Sequence, residues 1–202
     1  MIRHAIFLSA ALTMAGCSGA PVANEQAATA PEAKPSYTGA NLAGGSWEGV
    51  WGDAARSIDH FGRIGLRPGA YQQTAGGWRS EATPTALADP SGPAPVMAYF
   101  VASGDAKTLD KVAFTLVEPA MSNDQQARDQ FEQWMKRALT ELGVTGGDTA
   151  AKAIHGEKRL TGKLKGGADY AVTRETNAKE RRLAVTFTRA APISGEAQPK
   201  NG

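Results

Sequence analysis

A stripe of apolar residues between positions 127 and 142 constrains the fold more than any other feature of this sequence. Ser122, followed three residues later by Gln125, matches a capping box at a helix start, and Gly143 supplies a stop signal. These features predict an amphipathic helix over about 122–142, which must bury one face against a second layer. The stripe consists of Ala127, Phe131, Trp134, Met135, Ala138, Leu139 and Leu142.

The second layer is predicted to be a β-sheet. Residues 96–103 form a β-branched and aromatic run, Gly104-Asp105 has turn chemistry, and residues 110–118 alternate in hydrophobicity, so a hairpin is expected. Three further strands are predicted within 159–163, 170–175 and 182–188. The fold class is therefore α+β, an antiparallel sheet of about five strands with the long helix packed on one face.

The segment 46–95 has no sustained period, because Trp, Gly and Pro are interspersed along it. A short helix over 53–61 would bury Ala54, Ile58 and Phe61, and a short strand is expected around Trp78. Residues 88–93 contain two prolines and a glycine and predict an irregular connection. A helical turn is expected over 149–155.

The N-terminus has the order of a secretory signal: Arg3, an apolar run over residues 5–15, then small residues. Met14-Ala15-Gly16-Cys17 follows and resembles the lipobox of bacterial prolipoproteins, in which an aliphatic and two small residues precede a cysteine. The resemblance implies a diacylglyceryl group on the Cys17 sulfur, cleavage before Cys17 and acylation of the new amine by a fatty acid such as palmitate. The alternative is an ordinary cleaved signal with a coincidental cysteine.

These features predict the organisation of the chain. Residues 1–16 are the signal peptide, 17–45 a disordered tether rich in Ala, Pro and Gly, 46–193 a single domain and 194–202 a flexible tail. The predicted location is the cell envelope, with membrane lipid as the partner of acylated Cys17. In a Gram-negative host, Ser18 favours the periplasmic face of the outer membrane by the same resemblance.

No catalytic or metal-binding residue and no cofactor is predicted. The segment 44–48 has Glu48 where a Gly-x-Ser-x-Gly motif requires glycine, and no phosphate-binding loop is present. His60 and His155 remain after cleavage, in different segments and without metal-ligand spacing. Each is interpreted as a partly exposed surface residue.

Five residues form the candidate interaction surface: the aromatic Trp47 and Trp51, and the basic Lys163, Arg181 and Arg182. Residues 152–200 hold 11 Lys+Arg against 5 Asp+Glu, whereas 44–151 hold 9 against 13, so two electrostatic faces are expected. Two alternatives stay open: the tryptophans are core residues, and the basic residues keep a sheet soluble.

The preferred hypothesis is a non-enzymatic interaction or scaffold module that binds an envelope protein or an anionic envelope component. The second is a periplasmic binder of a small amphiphilic or anionic ligand. The third is a hydrolase of cell wall or lipid, which requires His60 or His155 beside a carboxylate in a cleft. Nucleic acid is not expected as a partner, because the export signal directs the chain out of the cytoplasm.

Overall fold

The computed structural model describes residues 41–87, 95–122, 124–156 and 159–190. The predicted signal peptide, Cys17, most of the tether and the tail 194–202 lie outside these residues. The elements in chain order are α1 (Trp47–Trp51), α2 (Ala54–Arg63), β1 (Gln72–Thr74), β2 (Gly77–Glu81), β3 (Thr85–Leu87), β4 (Val96–Gly104), β5 (Leu109–Pro119), α3 (Gln125–Leu142), α4 (Gly147–His155), β6 (Leu160–Leu164), β7 (Ala168–Thr176) and β8 (Glu180–Arg189).

The eight described strands form one antiparallel sheet in the order β1-β2-β4-β5-β8-β7-β6, and β3 pairs with β4 beyond the end of β2. The predicted α+β class, the hairpin β4–β5 and the three C-terminal strands are confirmed. The expected number of about five strands is too low. The additional strands lie within 72–87, where β1 and β3 have only three residues each and are too short to show a period.

Alternation along the central strands divides the sheet into a buried and a half-exposed face. Phe114 of β5 lies opposite Val185 of β8, and both are fully buried. The helices cover this buried face. Trp47 of α1 stacks on Phe187 with centroids 4.7 Å apart, Phe61 of α2 meets Phe100 at 5.0 Å, and Trp134 of α3 meets Phe114 at 5.4 Å.

Helix α3 buries the predicted stripe, except that Trp134 is only partly buried. Its start differs from the prediction. The N-cap is Asp124, whose Oδ1 accepts a hydrogen bond from the amide of Ala127 at 2.9 Å, rather than Ser122. Asp caps a helix as well as Ser does, and Ser122 belongs to the turn after β5, where its amide donates to the carbonyl of Pro119 at 2.9 Å.

The end of α3 binds the first residues of the domain. Gly143 ends the helix as predicted, in the left-handed conformation with φ 76°, and a Cβ there would lie 2.7 Å from the Cα of Asn41. The amides of Asn41 and Ala43 donate to the carbonyls of Glu141 at 3.2 Å and Leu142 at 2.9 Å. Residues 41–43, within the range that the sequence assigned to the tether, therefore pack against the end of α3.

Two short helices precede the sheet. The predicted helix over 53–61 is confirmed as α2, although it continues past Gly62 to Arg63 and leaves Ile58 only partly buried. Helix α1 was not predicted. The sequence nevertheless contains signals for this helix. Ser46 is a suitable N-cap, and its Oγ accepts from the amide of Glu48. Trp47, Val50 and Trp51 have the spacing of one buried helical side.

Candidate functional site

The two tryptophans of the candidate surface are core residues. Trp47 is 1% exposed and Trp51 3%, and their rings stack with centroids 5.2 Å apart. Each indole nitrogen donates to a backbone carbonyl, Trp47 Nε1 to Thr145 at 2.9 Å and Trp51 Nε1 to Gly167 at 2.8 Å. Both rings are therefore unavailable at the surface of this chain, and the alternative interpretation as core applies to them.

Lys163 of the candidate surface lies apart from the other two basic residues, Arg181 and Arg182. Lys163 is exposed on β6, at one end of the sheet order, opposite Asp169. Arg181 and Arg182 are consecutive on β8, so their side chains leave on opposite faces of the sheet. Arg181 lies on the helix-covered face, because it alternates with the buried Leu183.

Arg181 and Arg182 both line a cleft of about 260 Å³, formed where β5, β7 and β8 meet the last turn of α4. Register places Arg181 between Glu118 of β5 and Thr176 of β7. The charged lining of this arginine cleft comprises four arginines and two glutamates: Arg128, Arg174, Arg181, Arg182, Glu118 and Glu175.

Glu118 is the buried acid of the arginine cleft, with a side chain 4% exposed. Arg128 of α3 grips it with a fork: Nε donates to Oε1 and Nη2 to Oε2, both at 3.0 Å. A buried carboxylate requires such partners, since its loss of hydration is costly. Arg181 Nε lies 3.9 Å from Oε2, close enough for charge attraction but too far for a hydrogen bond.

Arg181 has two buried donors without an acceptor. Its Nε and Nη2 atoms are shielded from solvent and have no hydrogen-bond partner among the described residues. Such atoms are rare, because a buried donor left unsatisfied costs about 1–3 kcal/mol. The two atoms form one edge of the guanidinium group, the edge that Arg128 uses to hold Glu118.

Arg174 binds the last turn of α4, which forms one wall of the cleft. Its Nη2 donates to the carbonyl of Ala153 at 3.2 Å and to those of Ile154 and Gly156, at the end of the helix. Cations are favoured there, because the last carbonyls of a helix have no partners within it. The last turn of α4 is thus bound to β7.

His155 lies at the rim of the cleft beside an acid, as the hydrolase hypothesis requires. Its Nε2 is 2.5 Å from Glu132 Oε2 and 3.6 Å from Asp129 Oδ1. Its Nδ1 is 2.8 Å from Gln125 Nε2. Both ring nitrogens therefore contact side chains of α3. The contacts join α4 to α3.

Neither His60 nor a metal-binding cluster marks a second site among the described residues. His60 lies in α2, and burial lowers its pKa below the usual value. Within the ranges 41–87, 95–122, 124–156 and 159–190, no three His, Cys, Asp or Glu residues are arranged to hold a metal ion.

Sequence reasoning missed Glu118 and Arg128, although each left a signal. Glu118 continues the alternation of Val112, Phe114 and Leu116, so it falls on the buried face of β5. A carboxylate at such a position indicates a buried partner. Arg128 precedes Phe131 by three residues and so lies beside the apolar stripe of α3.

None of the helices that the structure describes combines the length and the apolar composition needed to cross a bilayer. No protein-family model matches the chain, and no significant match was found among curated proteins or solved structures.

Proposed function

We propose that this chain is a membrane-anchored envelope lipoprotein whose domain is a non-enzymatic interaction module that binds an anionic envelope component in the arginine cleft. The anchor is supported by the likeness of Met14-Ala15-Gly16-Cys17 to a lipobox. The binding role is supported by one observation, the grouping of Arg128, Arg174, Arg181 and Arg182 along the lining of a single cleft. Arginine side chains bind oxyanions through charge-assisted hydrogen bonds.

The arginine cleft suits an anion better than an amphiphile. Carriers of amphiphiles hold the apolar part of the ligand in a cavity lined mostly by hydrophobic side chains. Between α3 and the sheet, the space is occupied by fully buried Phe114, Phe131, Met135 and Leu139. The lining of the cleft itself is instead rich in charged side chains, including four arginines, which suits a charged ligand better than an apolar one.

A binding role also suits the cleft better than hydrolysis. A general base must reach the proton that it removes, directly or through one water. His155 has a carboxylate on one ring nitrogen and an amide on the other. The histidine therefore serves the packing of α4 on α3.

Affinity capture from whole envelopes tests this function. The full lipidated chain is compared with Arg181→Met and with Arg137→Met, which makes the same change at an exposed position of α3. We expect a captured component that is released by salt, is retained by Arg137→Met and is lost with Arg181→Met. An identical set of components for all three proteins would contradict a role for the cleft.

The anchor is tested separately with Cys17→Ala. We expect this variant to lose incorporation of labelled palmitate and to leave the membrane fraction. Unchanged labelling and fractionation would contradict the anchor without affecting the test of the cleft.

A further inference from the structure

The half-exposed face of the sheet holds two clefts of its own, away from the helices. We propose that they form a second binding site, separate from Arg181 and its surroundings, for a neutral oligosaccharide that lies across the strands. In this site Tyr99 stacks on a sugar ring, while Thr115 and the Arg79–Glu81 ion pair form hydrogen bonds with the sugar hydroxyls.

The shape of the two clefts favours an extended ligand. One, of about 470 Å³, lies over the hairpin β1–β2, and the other, of about 320 Å³, reaches from β2 across β4 to β5 and β8. Arg79 and Glu81 line both, so the clefts adjoin and form one groove. With neighbouring strands about 4.8 Å apart, the groove extends roughly 19 Å from β1 to β8.

The charges of the groove are balanced. Its charged lining residues are Arg79, Glu81 and Arg182. Arg79 Nη2 is paired with Glu81 Oε1, and Arg182 Nη2 lies 3.3 Å from Glu180 Oε1. Because each charge has a partner of opposite sign, the groove selects neither an anion nor a cation. The paired side chains still offer further donors and acceptors, which suits a neutral ligand with many hydroxyl groups.

Two other classes of neutral ligand fit the groove less well. Apolar molecules are held in cavities lined mostly by hydrophobic side chains, whereas this groove is open and includes Gln72, Thr74 and Thr115 in its lining. An extended peptide is held by main-chain hydrogen bonds at the edge of a sheet, but β4, β5 and β8 are paired with strands on both sides. An oligosaccharide needs neither an apolar cavity nor a free edge.

Tyr99 and Thr115 are placed to recognise one sugar ring together. They are directly opposite each other on β4 and β5, both line the groove, and neither is fully buried. The C–H face of a sugar ring is apolar and packs on the face of an aromatic ring. Cross-strand pairs have their Cβ atoms about 5 Å apart, so a ring stacked on Tyr99 brings its hydroxyls within reach of Thr115.

Calorimetric titration of the full lipidated chain, in a polyoxyethylene detergent that contains no sugar, tests the ligand class. The probes are maltotetraose, cellotetraose and chitotetraose, with glucose, N-acetylglucosamine and a capped tetra-alanine peptide for comparison. We expect at least one tetrasaccharide to bind about tenfold or more tightly than its monosaccharide, because the groove spans several rings. Failure of all three tetrasaccharides, or equal affinity for the peptide, would overturn the inference.

Salt and Arg181→Met separate this site from the arginine cleft. We expect the affinity for the tetrasaccharide to be the same at low and high salt, because the ligand is neutral, and to be unchanged in Arg181→Met. Loss of tetrasaccharide binding in either case would overturn a separate neutral site, whereas the capture experiment with Arg181→Met tests the proposed function by itself.

Tyr99→Ala tests the stacking. We expect the affinity for the tetrasaccharide to fall about tenfold with the loss of the ring. Tyr99→Phe keeps the ring and should keep most of the affinity. Unchanged affinity in Tyr99→Ala would overturn the site.

Thr115→Val gives a second test in case Tyr99→Ala does not fold. Valine has the shape of threonine and favours strands, so folding should be preserved. We expect the affinity to fall about fivefold, the size of one lost hydrogen bond. Thr173→Val makes the same change on the same face, two strands away and outside the groove, and should leave the affinity unchanged. Equal affinities in the two variants would overturn the assigned role of Thr115.

Discussion

Arginines stand at both ends of the helix-covered face of β8, and their surroundings differ. At the closed end, formed by Arg189, Trp51 and Leu109, Arg189 Nε donates to the carbonyl of Leu109 at 3.1 Å and Nη2 to that of Trp51 at 3.4 Å. At the open end, formed by Arg181, Glu118 and Arg128, Arg181 Nε and Nη2 have no acceptor in the part of the chain that the structure describes. One arginine completes the fold, and the other adds little to it.

The two arginines differ in what their donors contribute to the fold. A guanidinium group whose donors meet carbonyls from two other elements, as at Arg189, ties α1 and β5 to β8. Donors buried without acceptors cost folding free energy, so Arg181 is expected to add little to stability.

The largest loss of stability is expected from Trp47→Ala, next to Trp51 of the closed end. Trp47 is fully buried, stacks on Phe187 and donates to Thr145, so its removal should lower the free energy of unfolding by about 3–5 kcal/mol. Urea unfolding followed by circular dichroism measures the change. Trp47→Phe, which keeps an aromatic ring, should lose less. A loss below about 1 kcal/mol in Trp47→Ala would contradict the role of this ring as core.

Arg189→Met should have the next largest effect. It leaves the carbonyls of Leu109 and Trp51 without this donor and should lower the free energy of unfolding by about 1–3 kcal/mol. The same unfolding experiment checks it. An unchanged free energy of unfolding would show that these hydrogen bonds do not stabilise the fold.

A smaller effect, dependent on pH, is expected at Asp105, in the turn between β4 and β5 beside the closed end. Hydrogen bonds from the amides of Lys107 and Thr108 hold the pKa of Asp105 below its usual value of 3.8, and the charge of Arg189 adds to this. A lowered pKa means that the stabilisation is complete above the usual value and is lost as the pH falls through the folded-state pKa.

The change that tests this is Asp105→Ala, with melting temperatures measured from neutral to strongly acidic pH. The variant should melt below the wild-type protein at neutral pH, and the difference should shrink in acid, where the wild-type carboxylate is protonated as well. A difference that is constant across this range would show that the Asp105 charge contributes nothing.

The smallest effect is expected from Arg181→Met. Because the variant removes two buried donors without acceptors and leaves the Glu118–Arg128 fork in place, stability should stay within about 0.5 kcal/mol or rise. Capture of the envelope component should be lost in the same protein. A stability loss equal to that of Arg189→Met would show that both ends of β8 are structural.

Local patterns in the sequence were sufficient to predict the helices and strands whose hydrophobic periodicity extends over many residues. Helix α3 and the hairpin β4–β5 each repeat their pattern over many residues, so the prediction needed no tertiary information. Strands β1 and β3 have three residues each and exist because they bond to β2 and β4. No property of such short segments distinguishes them from loops.

The candidate site shows the same limit. Arg181 was identified from charge, and alternation already implied that its neighbour Arg182 faces the other way. The paired hydrogen bonds between Glu118 and Arg128 join β5 to α3, a contact that no local sequence pattern reveals. They occupy both oxygens of Glu118 and leave Arg181 without an acceptor among the described residues. Trp47 and Trp51 could not be assigned, because large aromatic residues are frequent in cores and at interfaces alike.

The attachment of residues 41–43 to α3 determines how a tether would act on the domain. The chain enters beside Glu141 at the end of the helix, while Arg128 stands in its first turns, roughly 20 Å away along the axis. With lipid on Cys17, tension in the tether would pull at one pole of α3. A chain that continues from residue 41 therefore meets the domain at the end of α3 that is remote from the arginine cleft.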